Sequence, residues 1–301
     1  MSEQLRYDGR VAIVTGAGGG LGRAHALLLA SRGAKILVND LGSSAKGDGA
    51  DMGPADQVVA EITAAGGEAA SNTDSVVDGG KIVQAAMDAF GRIDILINNA
   101  GFLRDVGFHN MTEADWTDIY QVHLFGAFKV THAAWPILRE SRYGRIINTS
   151  SAAGIYGNFG QVNYSTAKLG LHGFTQALAV EGRPRGIHVN TIAPAADSRL
   201  TRTVMTPEQL KNVQPDRVSP LAAWLCHESC NETGGLFESG GGWNAKLQWV
   251  RTKGTRVGAG EAFGPEAVRD AWGAITDFSE ASNPGDFASS MAPLTEIMGN
   301  G

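Results

Sequence analysis

Five short segments built almost wholly of Val, Ile, Leu and other apolar residues recur along the chain, with stretches of helical period between them: Val11–Gly16, Lys35–Asp40, Ile93–Asn98, Arg145–Ser150 and Ile187–Ile192. A strand that is apolar on both alternating sets of side chains must be buried on both faces, which is the situation inside a parallel sheet. The intervening segments Leu21–Arg32, Ala55–Ala65, Lys81–Phe90 and Glu113–Arg139 are amphipathic and long enough to be helices. Thr112 with Asp115 three residues on marks the N-cap and acidic first turn of the last one. Repeated strand–helix–strand units close through right-handed crossovers, so an α/β fold is expected, a doubly wound parallel sheet with helices on both faces.

Two stretches interrupt the alternation. Leu41–Pro54 is Gly-rich and polar and is expected to be a surface loop. After Gly240-Gly241-Gly242 an aromatic, basic segment leads to a helix starting near Pro265, a residue suited to a first helical turn. Residues 1–245 are therefore expected to form the main domain. Residues 246–301 would be a C-terminal extension packed on it, because ~55 residues make a marginal core alone.

The net charge of -6 argues against nucleic acid as a main partner. No apolar run reaches the ~20 residues of a membrane span. The N-terminus has no secretory h-region and the C-terminus carries neither a prenylation box nor Ser-Lys-Leu, so a cytoplasmic protein is expected. Cys226 and Cys230 flank His227 at helical spacing, but no second Cys/His pair stands nearby. Buried, unreactive thiols and no metal are the expectation.

The first strand runs into Thr15-Gly16-Ala17-Gly18-Gly19-Gly20-Leu21-Gly22 and then a helix. Glycine loops occur for many reasons, a tight turn among them. Between a strand and a helix N-terminus, however, the backbone can approach a pyrophosphate, and orphan N–H groups with a positive partial charge await it. Gly16, Gly20, Leu21 and Gly22 are the candidates for this contact. Asp40 ends the second strand, where a carboxylate can accept both adenosine ribose hydroxyls of NAD and repel the 2′-phosphate of NADP; the alternative is an Asp that caps the following loop. Asp74 and Ser75 fall where the adenine edge would lie.

Tyr164-Ser165-Thr166-Ala167-Lys168 puts Tyr and Lys four apart, on one helix face. A phenol with an ordinary pKa near ~10 is a poor base at neutral pH, and a nearby ammonium favours its phenolate. Ser151, thirteen residues before Tyr164 at a strand end, can hold the oxygen whose proton Tyr164 moves.

The glycine loop, Asn98-Asn99-Ala100-Gly101, Ser151 and the Tyr164/Lys168 pair, in this order, resemble the short-chain dehydrogenase/reductase family across residues 10–242. The resemblance implies a Rossmann-type fold with NAD as cofactor, Tyr164 as general acid/base, and Lys168 lowering its pKa and bonding the nicotinamide ribose. It further implies Ser151 on the substrate oxygen, Asn99, Ala100 and Gly101 along the nicotinamide side, and a homodimer or homotetramer. Pro194-Ala195 stands where the family usually has Pro-Gly, which makes Pro194 and Ser198 candidates near the carboxamide. Where the family places an Asn to hold a water of the proton relay, this chain has His123, whose pKa would then influence the pH profile.

Further residues, among them Leu103-Arg104-Asp105, Val122-His123-Leu124, Gly154–Gln161 and Trp224–Cys230, narrow the resemblance to the dehydrogenase part of the type 2 peroxisomal multifunctional enzymes. This implies oxidation of a (3R)-hydroxyacyl-CoA to the 3-ketoacyl-CoA in β-oxidation, of fatty or steroid side chains, with any hydratase a separate protein. The alternatives are a hydroxysteroid dehydrogenase, a 3-oxoacyl thioester reductase, or an NAD(H)-sensing scaffold without turnover. Lys246, Arg251, Lys253 and Arg256, interleaved with Trp243 and Trp249, are candidates to hold the CoA phosphates, or a solvated rim or subunit contact.

Overall fold

The computed structural model describes residues 4–42, 53–196, 206–257 and 264–299. Within them eight strands form one sheet: β1 Val11–Thr15, β2 Lys35–Asn39, β3 Ala69–Asn72, β4 Ile95–Asn98, β5 Gly144–Thr149, β6 Ile187–Ala195, β7 Leu236–Gly240 and β8 Trp243–Leu247. Their order is β3-β2-β1-β4-β5-β6-β7-β8, and every pairing from β3 through β7 is parallel.

The helices are α1 Gly20–Ser31, α2 Gly53–Ala64, α3 Gly79–Phe90, α4 Glu113–Tyr120, α5 Gly126–Ser141, α6 Ala152–Tyr156, α7 Val162–Gly182, α8 Pro207–Asn212 and α9 Ser219–Cys226. Alternation along the strands sends neighbouring side chains into two separate cores. Ala12, Val14, Ile36, Val38, Ile95 and Ile97 meet α1, α2 and α9 on one face. Ile13, Leu37, Leu96 and Ile146 meet α3, α5 and α7 on the other. Both-sided burial is why these strands are apolar throughout, and each fully buried Ile or Leu contributes about 1.5–3 kcal/mol.

The chain order reverses between β1 and β4, and a crevice opens outside the carboxyl ends of such strands. Ser151 and the glycine loop follow β5 and β1 directly, so the topology brings them to that crevice.

Three features differ from the sequence expectation. β3 reads Ala-Ala-Ser-Asn and is only partly buried, so it lacks the apolar run of an inner strand. β7 and β8 are joined by Gly241 and Gly242, both at positive φ, the conformation of a two-residue hairpin turn. The helix expected over Glu113–Arg139 is divided by a π-helical turn, Gln121–Phe125, between α4 and α5. Its start is as expected: Thr112 and Asp115 form a reciprocal capping box.

The chain divides into two compact units, Met1–Lys246 and Leu247–Gly301. The second holds α10 Pro265–Asp270, α11 Trp272–Ile275 and α12 Phe287–Gly299. Within it Arg251 and Ser282 exchange two backbone hydrogen bonds of 2.8 and 2.9 Å.

Candidate active site

The crevice is a cleft of about 580 Å³, lined by the glycine loop, the ends of β2, β4 and β5, and the first turns of α7. That volume lies in the range of small-molecule and cofactor sites. Gly16, Gly20 and Leu21 border it, with Asp40, Asp74 and Ser75 at one end and Ser151, Tyr164 and Lys168 at the other. Asn99, Ala100, Gly101, His123 and Pro194 border it between them. Gly22 does not; it lies packed on the Gly16 carbonyl, where a Cβ would collide. Ser198 lies outside the described residues.

The loops after β1 and β4 are locked back to back. Gly16 has φ +64°, and a Cβ on it would stand 2.8 Å from the Ala100 Cα, so only glycine fits. Asn99 Nδ2 donates to the Thr15 carbonyl at 3.0 Å and to the Gly16 carbonyl at 3.1 Å. Thr15 Oγ1 accepts from the Asn99 and Ala100 amides at 3.0 and 3.1 Å. From sequence alone Thr15 is only the first residue of the loop; its bracing role depends on a segment more than eighty positions away.

The α1 N-terminus has no side-chain cap and no acidic residue in its first turn, so its N–H donors are uncovered. A Cβ on Gly19 would meet nothing within 4 Å, which leaves backbone open to the cleft. This cradle fits a dinucleotide pyrophosphate. Asp40 is buried, and its two oxygens accept from the Gly18 and Gly42 amides, both at 2.8 Å. A carboxylate oxygen has a second lone pair, so Asp40 retains acceptor capacity toward the cleft. Asn39 donates to Asn72 Oδ1 and to the Asp74 carbonyl, both at 2.8 Å, fixing the chain where it turns toward Ser75.

Ser151 is the N-cap of α6, its Oγ accepting from the Ala153 amide at 3.2 Å. Its hydroxyl neighbours the Tyr164 phenol and favours the phenolate. Lys168, one turn along α7, lies with Nζ 5.5 Å from the Tyr164 ring centroid and donates to the Thr149 carbonyl at 2.6 Å. Burial pushes Tyr164 up to about 12 against the pull of Ser151, with Asp105 adding to the rise. Burial pushes Lys168 down to about 7. Ser151 is the one group that pulls Tyr164 down. Removing Tyr164 and Lys168 from water outweighs their attraction, and the Lys168 ammonium is turned to a backbone carbonyl.

His123 sits in the π-helical turn, a distortion that recurs at functional sites. Its Nε2 lies 2.8 Å from the Phe102 carbonyl and 3.2 Å from the Phe102 amide, so one backbone residue holds this edge of the ring. Nδ1 and Asn98 Oδ1 are buried with no hydrogen-bond partner among the described residues and belong to residues that border a pocket of about 10 Å³ with Lys168. The His123 ring meets the Tyr164 ring edge-on at 5.2 Å. Burial, reinforced by Lys168, holds its pKa well below the ordinary value. Burial thus favours the neutral imidazole.

Gln161 and Asn158 also border the cleft; the sequence marks them only within the Gly154–Gln161 resemblance and gives them no site role, because neither has a fixed spacing to a chemical partner. Among the basic residues near the C-terminus, Lys246 pairs with Glu232 and Lys253 with Glu280, each at 2.8 Å. Each of these two charges is matched by a carboxylate. Both cysteines are free and buried, and burial pushes Cys226 up to about 12.

Fold and site together define an oxidoreductase that acts on a CH–OH group. The chain belongs to the short-chain dehydrogenase family, whose model, "short chain dehydrogenase", matches residues 10–212. It is 54% identical over 299 residues to the peroxisomal multifunctional enzyme type 2 of Mus musculus, covering 99% of this chain and 41% of that one. It is also 54% identical to the peroxisomal hydratase-dehydrogenase-epimerase of Neurospora crassa, covering 94% of this chain and 32% of that one. The full-length peroxisomal multifunctional enzyme type 2 of Drosophila melanogaster matches in structure with a TM-score of 0.84 and 42% identity, over 98% of this chain and 50% of that one. The chain thus spans half or less of the length of these relatives.

Their peroxisomal names overturn the cytoplasmic expectation. That expectation leaned on the last residues of the chain. In relatives two to three times longer an organelle address can lie outside the matched segment.

Proposed function

We propose that the protein catalyses NAD-dependent oxidation of a (3R)-hydroxyacyl-CoA to the 3-ketoacyl-CoA in peroxisomal β-oxidation. The observation that carries this reading is the convergence of Ser151, Tyr164 and Lys168 on the same cleft as Asp40. The relatives' names support the compartment and a dehydrogenase activity, and the resemblance to the type 2 multifunctional enzymes supports the substrate class. NAD supplies the hydride acceptor when bound. The glycine loop and α1 N-terminus would hold its pyrophosphate, Asp40 its adenosine ribose, and Lys168 its nicotinamide ribose.

Ser151 Oγ fixes the substrate oxygen, and Tyr164 Oη, in the form of the pair in which Lys168 holds the proton and the phenol is a phenolate, takes the hydroxyl proton as C3 gives up its hydride and becomes a carbonyl carbon. Tyr164 and Lys168 act as one titrating pair that gains a net proton in the step. Neutral His123 leaves the Lys168 side of the site without a competing cation. A hydratase, which the Neurospora relative's name joins to its dehydrogenase, supplies the substrate, as a partner protein or within a longer chain. Residues 1–245 carry all of this chemistry, with 246–301 as an accessory extension. Exposed Trp116, Tyr120 and Phe128 on α4 and α5, with Leu169 and Val180 on α7, support a homo-oligomer.

Initial rates of NADH formation with resolved 3-hydroxyacyl-CoAs and hydroxysteroids, each with NAD and NADP, test the reading. Fast NAD-linked oxidation of the (3R) thioester is expected. Turnover of hydroxysteroids alone would discard the acyl-CoA assignment.

A further inference from the structure

Gln161 is the N-cap residue of α7, three positions before Tyr164, and is 7% exposed. Its side chain borders the same cleft as Ser151 and Tyr164 and makes no capping bond to its own helix. Instead it is strung between two loops. Asn158 Nδ2 donates to Gln161 Oε1 at 3.0 Å, and Gln161 Nε2 donates to Asp105 Oδ2 at 2.8 Å. A backbone bond from the Val106 amide to the Gly160 carbonyl, 2.8 Å, holds those loops together.

The polarity of this chain is fixed from one end. A carboxylate oxygen of Asp105 accepts, so the Gln161 amide turns Nε2 toward it and Oε1 toward Asn158. Nε2 carries two hydrogens and gives one to Asp105. The second has no acceptor among the described residues. A buried amide locked in orientation, with one N–H unspent and bordering the cleft that Ser151 and Tyr164 also line, is a preformed donor for a second oxygen of the substrate.

We propose that Gln161, oriented by Asp105 and Asn158, binds the C1 thioester carbonyl of the substrate while Ser151 and Tyr164 engage the oxygen on C3. The inference rests on the 3-hydroxyacyl thioester reading above. It makes Gln161 a specificity residue: secondary alcohols without an oxygen two carbons away leave its N–H unpaired. Asp105 and Asn158 are positioning residues that act through it.

The test compares a (3R)-hydroxyacyl N-acetylcysteamine thioester with the thioether in which the C1 carbonyl is CH2, using full-length protein and NAD. Wild type is expected to favour the thioester in kcat/KM by about tenfold or more, the worth of one buried hydrogen bond. Gln161→Leu should bring the two substrates close to parity by slowing the thioester alone. Asp105→Asn should produce a smaller loss in the same direction. A merely structural role would slow both substrates alike. If wild type oxidises the thioester and Gln161→Leu keeps the preference, the carbonyl assignment fails while the dehydrogenase reading stands. If wild type oxidises only hydroxysteroids, both fail together.

Discussion

Tyr164 and Lys168 stand one helical turn apart, and burial drives each away from its charged form, Tyr164 up to about 12 and Lys168 down to about 7. Below pH 7 the pair holds both protons and has no place for the one that leaves the substrate. Above it Lys168 is neutral and the pair can accept. Oxidation is therefore expected to show kcat/KM falling about tenfold per pH unit below about pH 7, the limb of a single essential base. Lys168→Arg, whose guanidinium stays protonated, should lose that limb together with most of the activity; an unchanged break near pH 7 would exclude Lys168 from the pair. Asp40 bears on cofactor choice in the same local way. Asp40→Asn preserves shape and removes the charge, so relative use of NADP should rise at least about tenfold, since like-charge juxtaposition costs several kcal/mol. An unaltered NAD preference in paired rate measurements would reduce Asp40 to a loop-fixing residue for Gly18 and Gly42. These residues were legible in the sequence because their chemistry is local: a Tyr and a Lys four apart, a carboxylate at a strand end. Thr15 and Gln161 were not, because their partners lie eighty-four and fifty-six positions away and only the fold introduces them.

The elements divide along the same line. β1, β2, β4 and β5 were readable because two cores dictate apolar residues at both parities of each strand. β3 packs one face less deeply and keeps Ser and Asn, and β8 is largely exposed, so neither carries the signature. The π-helical turn inserts one residue into a helix without breaking its apolar stripe, which hides it from periodicity and yet carries His123 to the site. The β1 and β4 loops are joined by Asn99, and the consequence is measurable. Asn99→Ala removes two hydrogen bonds to the Thr15 and Gly16 carbonyls and leaves those acceptors to find others. A stability loss of about 1–3 kcal/mol is expected, with NADH binding weakened about tenfold because the loop is no longer held in its cradle shape. Urea unfolding and a fluorescence titration read the two effects separately. Lost stability with intact NADH affinity would show that the clamp serves the sheet and not the cofactor site.

Across the whole molecule, the first and last parts of the Met1–Lys246 unit are tied together by α1 against α9. His25 Nδ1 lies 2.8 Å from Ser219 Oγ, 194 positions away, and the Tyr7 hydroxyl donates to the Ala223 carbonyl at 2.6 Å. His25 is buried, and burial pushes it down from 6.5 to about 4. The unfolded chain therefore takes up this proton below pH 6.5 while the folded chain refuses it until about pH 4, so folding stability falls as pH drops through that window. For His25 alone, the loss between pH 6.5 and 5 is on the order of 2 kcal/mol. His123 and His172 are lowered in the same direction and add to it. Gln in place of His25 keeps a polar group for Ser219 without a titrating proton. Urea midpoints at pH 7 and pH 5 should then converge in His25→Gln relative to wild type, even where the variant is less stable at pH 7. Equal acid losses in the two proteins would mean that the α1–α9 closure tolerates a charged imidazole, and that the acid sensitivity of the fold resides in its carboxylates.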